Sequence, residues 1–346
     1  MKLNKIERAE LTKYIEENDF DQDLQGKTIL LTGAKGLVGT ALTKWILLQN
    51  EVKKSNTKIL ASTRNPESIP DYIEKGDAIL YIPHGKEREY GEQADYIIHA
   101  ASPTGNAYHM QYPLETFRTN VDGMEDLLEI CQKKNDTILL YLSSEEVYGL
   151  PSDEHPLVFE DSVGAIDSLN LRSCYPLGKK ACEFLCFAAA KEYGLQTKII
   201  RPTVIHGLFQ RYEETRVVNE ILRCLVEERD LHMKSDGLTK KCMLYALDAV
   251  AAILTVLLKG KAGEAYNASN PDTFLSVRDL ASHVFATFNP KLKLVFENNA
   301  ASADGFLPHR SIVQDCTKLN ALGWKAKADI DHIYKVDLAR FQEQSV

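Results

Sequence analysis

The sequence has no C-x-x-C pair, no long apolar run and no excess of basic residues. Its seven cysteines, Cys131, Cys174, Cys182, Cys186, Cys224, Cys242 and Cys316, are odd in number and scattered. That excludes a disulfide framework and points to a reducing cytoplasm. Cys182 and Cys186 lie four apart among apolar neighbours and read as core residues. The longest apolar stretch, Ala246–Leu258, is too short for a bilayer and carries Asp248, so no membrane span is expected. The N-terminal residues are charged and amphipathic, without the apolar centre of a secretory signal. A net charge of −8 excludes a broad nucleic-acid or anionic-membrane surface, but leaves room for a local basic pocket. His99 and His109 show no metal-ligand spacing, so no metal is expected.

What is present is ordinary globular composition, with 44% hydrophobic and 26% charged residues in 346. That length suits one large α/β unit with a smaller lobe. Residues 1–25 read as a helical lead-in. An apolar strand, Thr28–Thr32, then runs into Gly33-Ala-Lys-Gly36-Leu37-Val38-Gly39, which opens a helix over Thr40–Gln49. Glycines at such a strand–turn–helix junction let the backbone approach a pyrophosphate resting on the helix N-terminus. These residues are therefore expected to hold a dinucleotide. A second strand, Lys58–Ser62, leads to Arg64 where an acidic residue would grip the ribose of NAD. Arg64 either holds a 2′-phosphate, which brings in NADP, or is a solvated strand-end arginine.

Further strands are expected over Asp77–Pro83, Asp95–Ser102 and Thr137–Leu142, with a sixth strand and its exit loop over Thr197–Gly207 and a helix over Leu114–Lys133 carrying Asn120. The small Ala100 and Ala101 would let a cofactor pass closely. The fifth strand ends in Ser143-Ser144-Glu145-Glu146, where ligands of an open parallel sheet sit. Two adjacent carboxylates divide acid and base work if their surroundings separate their pKa values. Tyr175 and Lys179 are four apart on a helix that Gly194 ends, and so share one face. A lysine ammonium there is expected to lower the tyrosine pKa and ready the phenol to take a proton from a hydroxyl. From about residue 208 the pattern changes to helices with short strands. The expected division is a lead-in (1–25), an NAD(P)-binding domain (26–207), and a mainly substrate-binding lobe (208–346) with some segments returning to the sheet.

Jointly, Thr32–Gly39, His99–Pro103, Thr119-Asn120, Ser143–Gly149, Tyr175-x-x-x-Lys179, Asp236-Gly237 and Leu322-Gly-Trp324 resemble the extended short-chain dehydrogenase/reductases of the nucleotide-sugar epimerase/dehydratase group. Within it the chain looks most like UDP-glucuronate decarboxylases and nucleotide-sugar 4,6-dehydratases. The resemblance implies a Rossmann-type doubly wound parallel sheet with a smaller C-terminal α+β substrate lobe. It implies an enzyme that oxidises a sugar at C4, then decarboxylates, dehydrates or epimerises the 4-keto sugar. Tyr175, Lys179, Ser144, Glu145 and Glu146 would be catalytic. Gly33, Gly36, Leu37, Val38, Gly39, Arg64, Ala100, Ala101, Ser102 and Asn120 would bind NAD, or NADP through Arg64, together with Tyr175 and Lys179. Ser102, Thr104, Ser144, Arg172, Arg216 and Lys241 would hold a nucleotide-diphosphate sugar. A homodimer through helices 114–133 and 172–193 is expected. The chain departs from that pattern at Glu145, where the decarboxylases carry serine, at Lys241, where they carry arginine, and at Val204, where a substrate-holding asparagine is missing. The alternatives are an NADP(H)-dependent 4-keto reductase and a non-catalytic NAD(P)-binding sensor.

Overall fold

Seven short strands, the central ones apolar and buried, pair side by side in one parallel sheet, as such runs do when helices cover both faces. The computed structural model describes residues 3–69, 76–103, 105–151, 154–297 and 310–344, with only the backbone of Gln344. The elements are α1 (Lys5–Glu17), α2 (Asp21–Leu24), β1 (Thr28–Thr32), α3 (Leu37–Lys53), β2 (Lys58–Thr63), β3 (Ile79–Pro83), α4 (Glu87–Tyr90), β4 (Tyr96–His99), α5 (Asn106–Gln111), α6 (Pro113–Lys133), β5 (Ile138–Leu142), β6 (Leu157–Val158), α7 (Cys174–Tyr193), β7 (Gln196–Pro202) and β8 (Val204–His206). There follow α8 (Val217–Val226), β9 (Leu231–Met233), β10 (Lys240–Lys241), β11 (Met243–Tyr245), α9 (Ala246–Lys259), β12 (Ala265–Ala268), β13 (Leu275–Ser276), α10 (Val277–Phe288), β14 (Leu294–Phe296), β15 (Ser311–Gln314), α11 (Thr317–Asn320) and α12 (Ile330–Gln344).

The sheet order is β12-β7-β5-β4-β1-β2-β3. Chain order reverses between β1 and β4, whose ends meet at Thr32 and His99. A crevice at such a reversal is where open α/β sheets bind ligands. The lead-in folds as expected into helices. A capping box between Asn4 and Glu7 starts α1, which buries Leu11, Tyr14 and Ile15. The Tyr14 hydroxyl then donates to Asp248 on α9 over 3.1 Å, tying the N-terminus to the core.

The sixth expected strand is in fact two. Pro202 has no N–H to carry the ladder on. The chain steps out at Thr203, and β8 pairs with β11 in a separate small sheet. A four-stranded sheet, β13-β10-β15-β6, carries Lys241 and the residue before β15, Arg310, to the carboxyl ends of β5 and β7. The adjacent glutamates form a buried 3-10 turn, Glu145–Tyr148, rather than an exposed loop. Among the described residues no helix is long and apolar enough to cross a membrane. Nor is any group of three or more His, Cys, Asp or Glu side chains among them placed to hold a metal ion.

Candidate active site

The glycine turn and β4 press together at the reversal. Gly33 has φ +73°, and a Cβ there would lie 2.6 Å from the Ala100 carbonyl oxygen. At Gly39 a Cβ would lie 2.3 Å from the Gly33 carbonyl oxygen. Both positions therefore exclude any side chain. Gly36 is the N-cap of α3 and offers no side-chain cap, so the helix end keeps its appetite for an anion. Thr32 locks the two segments: the Ala101 N–H donates to its Oγ1 over 3.1 Å, and that hydroxyl lies 2.7 Å from His99 Nδ1. Burial, helped by the charge of Lys179, drives the His99 pKa down to about 3, so the ring is neutral. Ser102 Oγ donates to the Pro103 carbonyl over 3.3 Å. Thr104 lies outside the described residues. Asn120 is buried on α6, donates to Thr116 O over 2.8 Å, and leaves its Oδ1 unpartnered.

Arg64 stands exposed just past β2, within electrostatic reach of the Tyr108 hydroxyl. The sequence has no acid at this strand end, but Glu87 of α4 reaches it through space. Its carboxylate accepts from Ser62 Oγ over 2.5 Å and from the Gly85 N–H over 2.6 Å.

Tyr175 and Lys179 do share a face of α7. The Lys179 ammonium sits 5.7 Å from the Tyr175 ring centroid and donates to the Leu142 carbonyl over 2.7 Å. The expected lowering of the tyrosine pKa is not what the protein alone produces. Burial and the nearby Glu146 charge push the Tyr175 hydroxyl up to about 12, against a hydrogen bond with Ser144 and the charges of Arg172 and Arg216. Burial also brings Lys179 down to about 8, so its cation is itself expensive in this site. His109 lies on α5. Its ring stacks on Tyr175 with centroids 4.7 Å apart, while Nε2 bonds the Pro103 carbonyl over 3.1 Å.

Beyond Tyr175 lies a cluster of charge. Arg172 Nη2 donates to both oxygens of Glu146 over 3.0 and 2.9 Å, and its Nε donates to Asn106 Oδ1 over 2.5 Å. Lys241 Nζ is 3.1 Å from Glu145 Oε1, while Thr203 Oγ1 lies 2.6 Å from Glu145 Oε2. Arg310 reaches both carboxylates, with Nη2 3.8 Å from Glu145 and 3.6 Å from Glu146. Burial alone would raise the Glu146 pKa, but Arg310, Arg172 and Lys241 together outweigh it and hold the carboxyl below its usual range. Arg216 stands apart from this cluster: its Nε donates to Glu214 over 2.8 Å and its Nη1 to the Ile205 carbonyl over 3.2 Å. Sequence reasoning missed His109, Thr203 and Arg310. No local motif marks any of them, because each meets its partner from far along the chain.

Buried neutral histidines give the molecule an acid limit. His99 and His206 are both held at about 3, against an ordinary 6.5. Between those values the unfolded chain binds more protons, so stability is complete above 6.5 and is lost as pH falls through the window. Buried Asp337, raised from 3.8 to about 6, acts in the opposite sense and offsets one histidine only. The thermal midpoint is therefore expected to fall between pH 7 and pH 5, and a midpoint that held or rose would show that the rings are not neutral.

The family model for the NAD dependent epimerase/dehydratase family matches residues 29–269, more than half of the chain. A UDP-glucuronic acid decarboxylase 6 of Arabidopsis thaliana is 28% identical over 306 residues, covering 87% of this chain and 85% of that protein. A UDP-glucuronic acid decarboxylase 1 of Danio rerio is 26% identical over 290 residues, covering 83% and 66%. Among solved structures, UDP-glucose 4-epimerase of Thermotoga maritima, with UDP-glucose, superposes with a TM-score of 0.77 at 20% identity, over 92% of this chain and 100% of that one. A dTDP-glucose 4,6-dehydratase of Bacillus anthracis, in complex with NAD, gives 0.74 at 20% identity, over 92% and 98%. At those identities the superpositions speak for the fold: a doubly wound parallel sheet of the same kind.

Proposed function

The chain belongs to the NAD dependent epimerase/dehydratase family, and from that premise we propose that it modifies a nucleotide-diphosphate sugar by way of a 4-keto sugar. The observation that carries this is the grouping of Ser144, Tyr175 and Lys179 at the carboxyl end of β5, beside the glycine turn.

The residues present fit a nicotinamide dinucleotide. The side-chain-free cradle of Gly33 and Gly39 and the uncapped start of α3 suit a pyrophosphate, held by Gly33, Gly36, Leu37, Val38 and Gly39. Ala100, Ala101 and Ser102 line its path, and the unpartnered Asn120 Oδ1 waits beside α7. When bound, the dinucleotide supplies the two-electron oxidation of C4 and its reversal. Tyr175 takes the proton from the sugar 4-hydroxyl. Ser144, hydrogen-bonded to Tyr175, orients that oxygen. Lys179 holds a positive charge 5.7 Å from the Tyr175 ring, and a second cation brought close to Tyr175 would bring its raised pKa down. Arg172 and Lys241 belong to the substrate side of the site, with Arg216 at its margin. Glu145 and Glu146 flank the carbons next to C4 and decide the fate of the keto sugar.

Arg64 leaves NADP(H) open beside NAD, and a net NADP(H)-dependent 4-keto reductase is the second reading. Outer faces of α6 and α7 expose Leu114, Phe117, Phe184 and Phe187, an apolar surface suited to a homodimer, which light scattering would report as twice 38.9 kDa. Seven free cysteines suit a reducing cytoplasm. The division at residues 25/26 and 207/208 stands as part of this reading.

The test is mass spectrometry of products from UDP-, dTDP-, CDP- and GDP-hexoses and UDP-glucuronate, with NAD⁺ and NADP⁺ supplied separately. Loss of carbon dioxide, loss of water, or unchanged mass with altered chromatography would each identify the branch. Turnover of none of them would overturn the proposal.

A further inference from the structure

We infer that Arg340, on α12, is a positioning residue for the substrate side of the site: it holds the turn at 207–210 and, through Gln210, fixes Arg216 for an anionic group of the nucleotide sugar. The inference rests on the reading of the Tyr175 site just given, and adds to it a residue that touches neither substrate nor cofactor.

Strain marks the turn. Among the described residues, Lys54, Asn56, Phe209 and Glu228 have positive φ without being glycine, and of these Phe209, at φ +75°, is the buried one. A bulky side chain adopts that conformation only where its surroundings impose it, and such positions gather at functional sites. Here the Phe209 ring lies 5.3 Å from the Lys44 ammonium of α3, and Arg340 Nη2 donates to the Gln210 carbonyl. Arg340 is itself built in. It is 5% exposed, with Nε 3.6 Å from Asp337 of the same helix and Nη1 3.9 Å from Glu7 of α1. Asp337 in turn lies 3.7 Å from His206, the residue before the turn. Neither Asp337 oxygen, neither His206 ring nitrogen nor Arg340 Nε makes a hydrogen bond. Apolar side chains are often as stable in such a place, so the buried arginine calls for a reason beyond packing.

The reason lies one contact further on. The Gln210 side chain accepts from Arg216 Nη2 over 3.3 Å, while Arg216 also donates from Nε to Glu214 and from Nη1 to the Ile205 carbonyl. Those bonds use three of the five N–H donors of the guanidinium and leave two. The Arg216 side chain is 38% exposed, and its charge is felt at the Tyr175 hydroxyl. An unheld arginine loses much rotamer freedom on gripping an anion, whereas one already fixed by three acceptors loses little. Asn219 and Arg223 of α8 hold the next part of the segment, through the carbonyls of Tyr212 and Glu214. Arg340 completes the clasp at Gln210.

The experiment titrates the purified protein with UDP, dTDP, CDP and GDP by calorimetry, follows the tightest of them, and measures NAD⁺ affinity in parallel. Gln210→Met keeps the carbonyl that Arg340 holds but removes the acceptor for Arg216. Arg340→Met removes both donors to that carbonyl, and Arg340→Lys keeps one. Nucleotide affinity is expected to fall about tenfold in Gln210→Met and in Arg340→Met, and less in Arg340→Lys, with NAD⁺ affinity unchanged. In an Arg216→Met background neither substitution should weaken nucleotide binding further, because the effect runs through Arg216. Should Arg340→Met not fold, Arg340→Lys and Gln210→Met carry the same comparison. Unchanged nucleotide affinity, or a loss of the same size with and without Arg216, would overturn the inference and leave the Tyr175 reading standing. Equal loss of NAD⁺ affinity would assign Arg340 to the fold at large and overturn it too. Failure of the wild type to bind any of the four nucleotides would remove the nucleotide-sugar reading and this one with it.

Discussion

Replacing Tyr175 by Phe is expected to lower the rate of C4 oxidation on the order of 10²–10⁴-fold, the usual worth of a positioned acid–base group. The ring would keep its stacking on His109, at 4.7 Å between centroids, so only the hydroxyl and its bond to Ser144 disappear. A folded protein with an unchanged thermal midpoint and retained nucleotide binding, but without turnover, is the predicted result. The wild-type rate should also climb with pH, because burial and Glu146 hold the Tyr175 hydroxyl at about 12. Loss of the Lys179 cation opposes that climb above about 8, where the lysine gives up its proton. Turnover of the phenylalanine variant at the wild-type rate would remove Tyr175 from the reaction.

A methyl group at Gly39 is expected to be nearly as damaging by a different route. A Cβ there meets the Gly33 carbonyl oxygen at 2.3 Å and the Ala34 Cα at 2.6 Å, both backbone atoms that cannot rotate aside. The first turn of α3 must then move away from β1. Overpacking of this kind costs about 1–3 kcal/mol of stability. Losing two charge-assisted hydrogen bonds to a pyrophosphate costs about 3 kcal/mol more in binding, roughly a hundredfold in affinity. Gly36→Ala is the control, because its Cβ would approach nothing closer than the Gly33 oxygen at 3.4 Å. Equal nicotinamide affinities for the two variants, measured by fluorescence titration, would show that the close approach at Gly39 has no bearing on the cofactor.

How legible the site was follows from how local its signals are. The glycine turn, Ser144 and the Tyr175–Lys179 pair declare themselves because each is set by spacing within one strand–turn–helix or one helix. Parallel strands were legible as short apolar runs for the same reason. The break at Thr203 was not: Pro202 marks where the ladder can end, but nothing in Arg201-Pro-Thr-Val204 names β11 as the next partner. What turned the break into part of the site is Glu145, whose carboxylate meets Thr203 across 58 residues. Arg310 is a further case: its two carboxylate neighbours, Glu145 and Glu146, lie far before it in the chain. The pKa of Tyr175 was misread because the spacing reveals the lysine but not the burial, nor Glu146, which outweigh it.

The place of β12 at the outer edge of the sheet bears on how the protein is made. β12 pairs with β7, yet it follows β7 only after the whole of α8 and α9. On a ribosome, β7 would emerge with one side open, and that side cannot close until residue 268 has cleared the exit tunnel. Unpaired strand edges in unfinished chains recruit other strands. A chain truncated between residues 202 and 265 would keep the glycine turn, Ser144, Tyr175 and Lys179, and would still carry an open edge into the cell. The length of the second half is thus a condition for finishing the first.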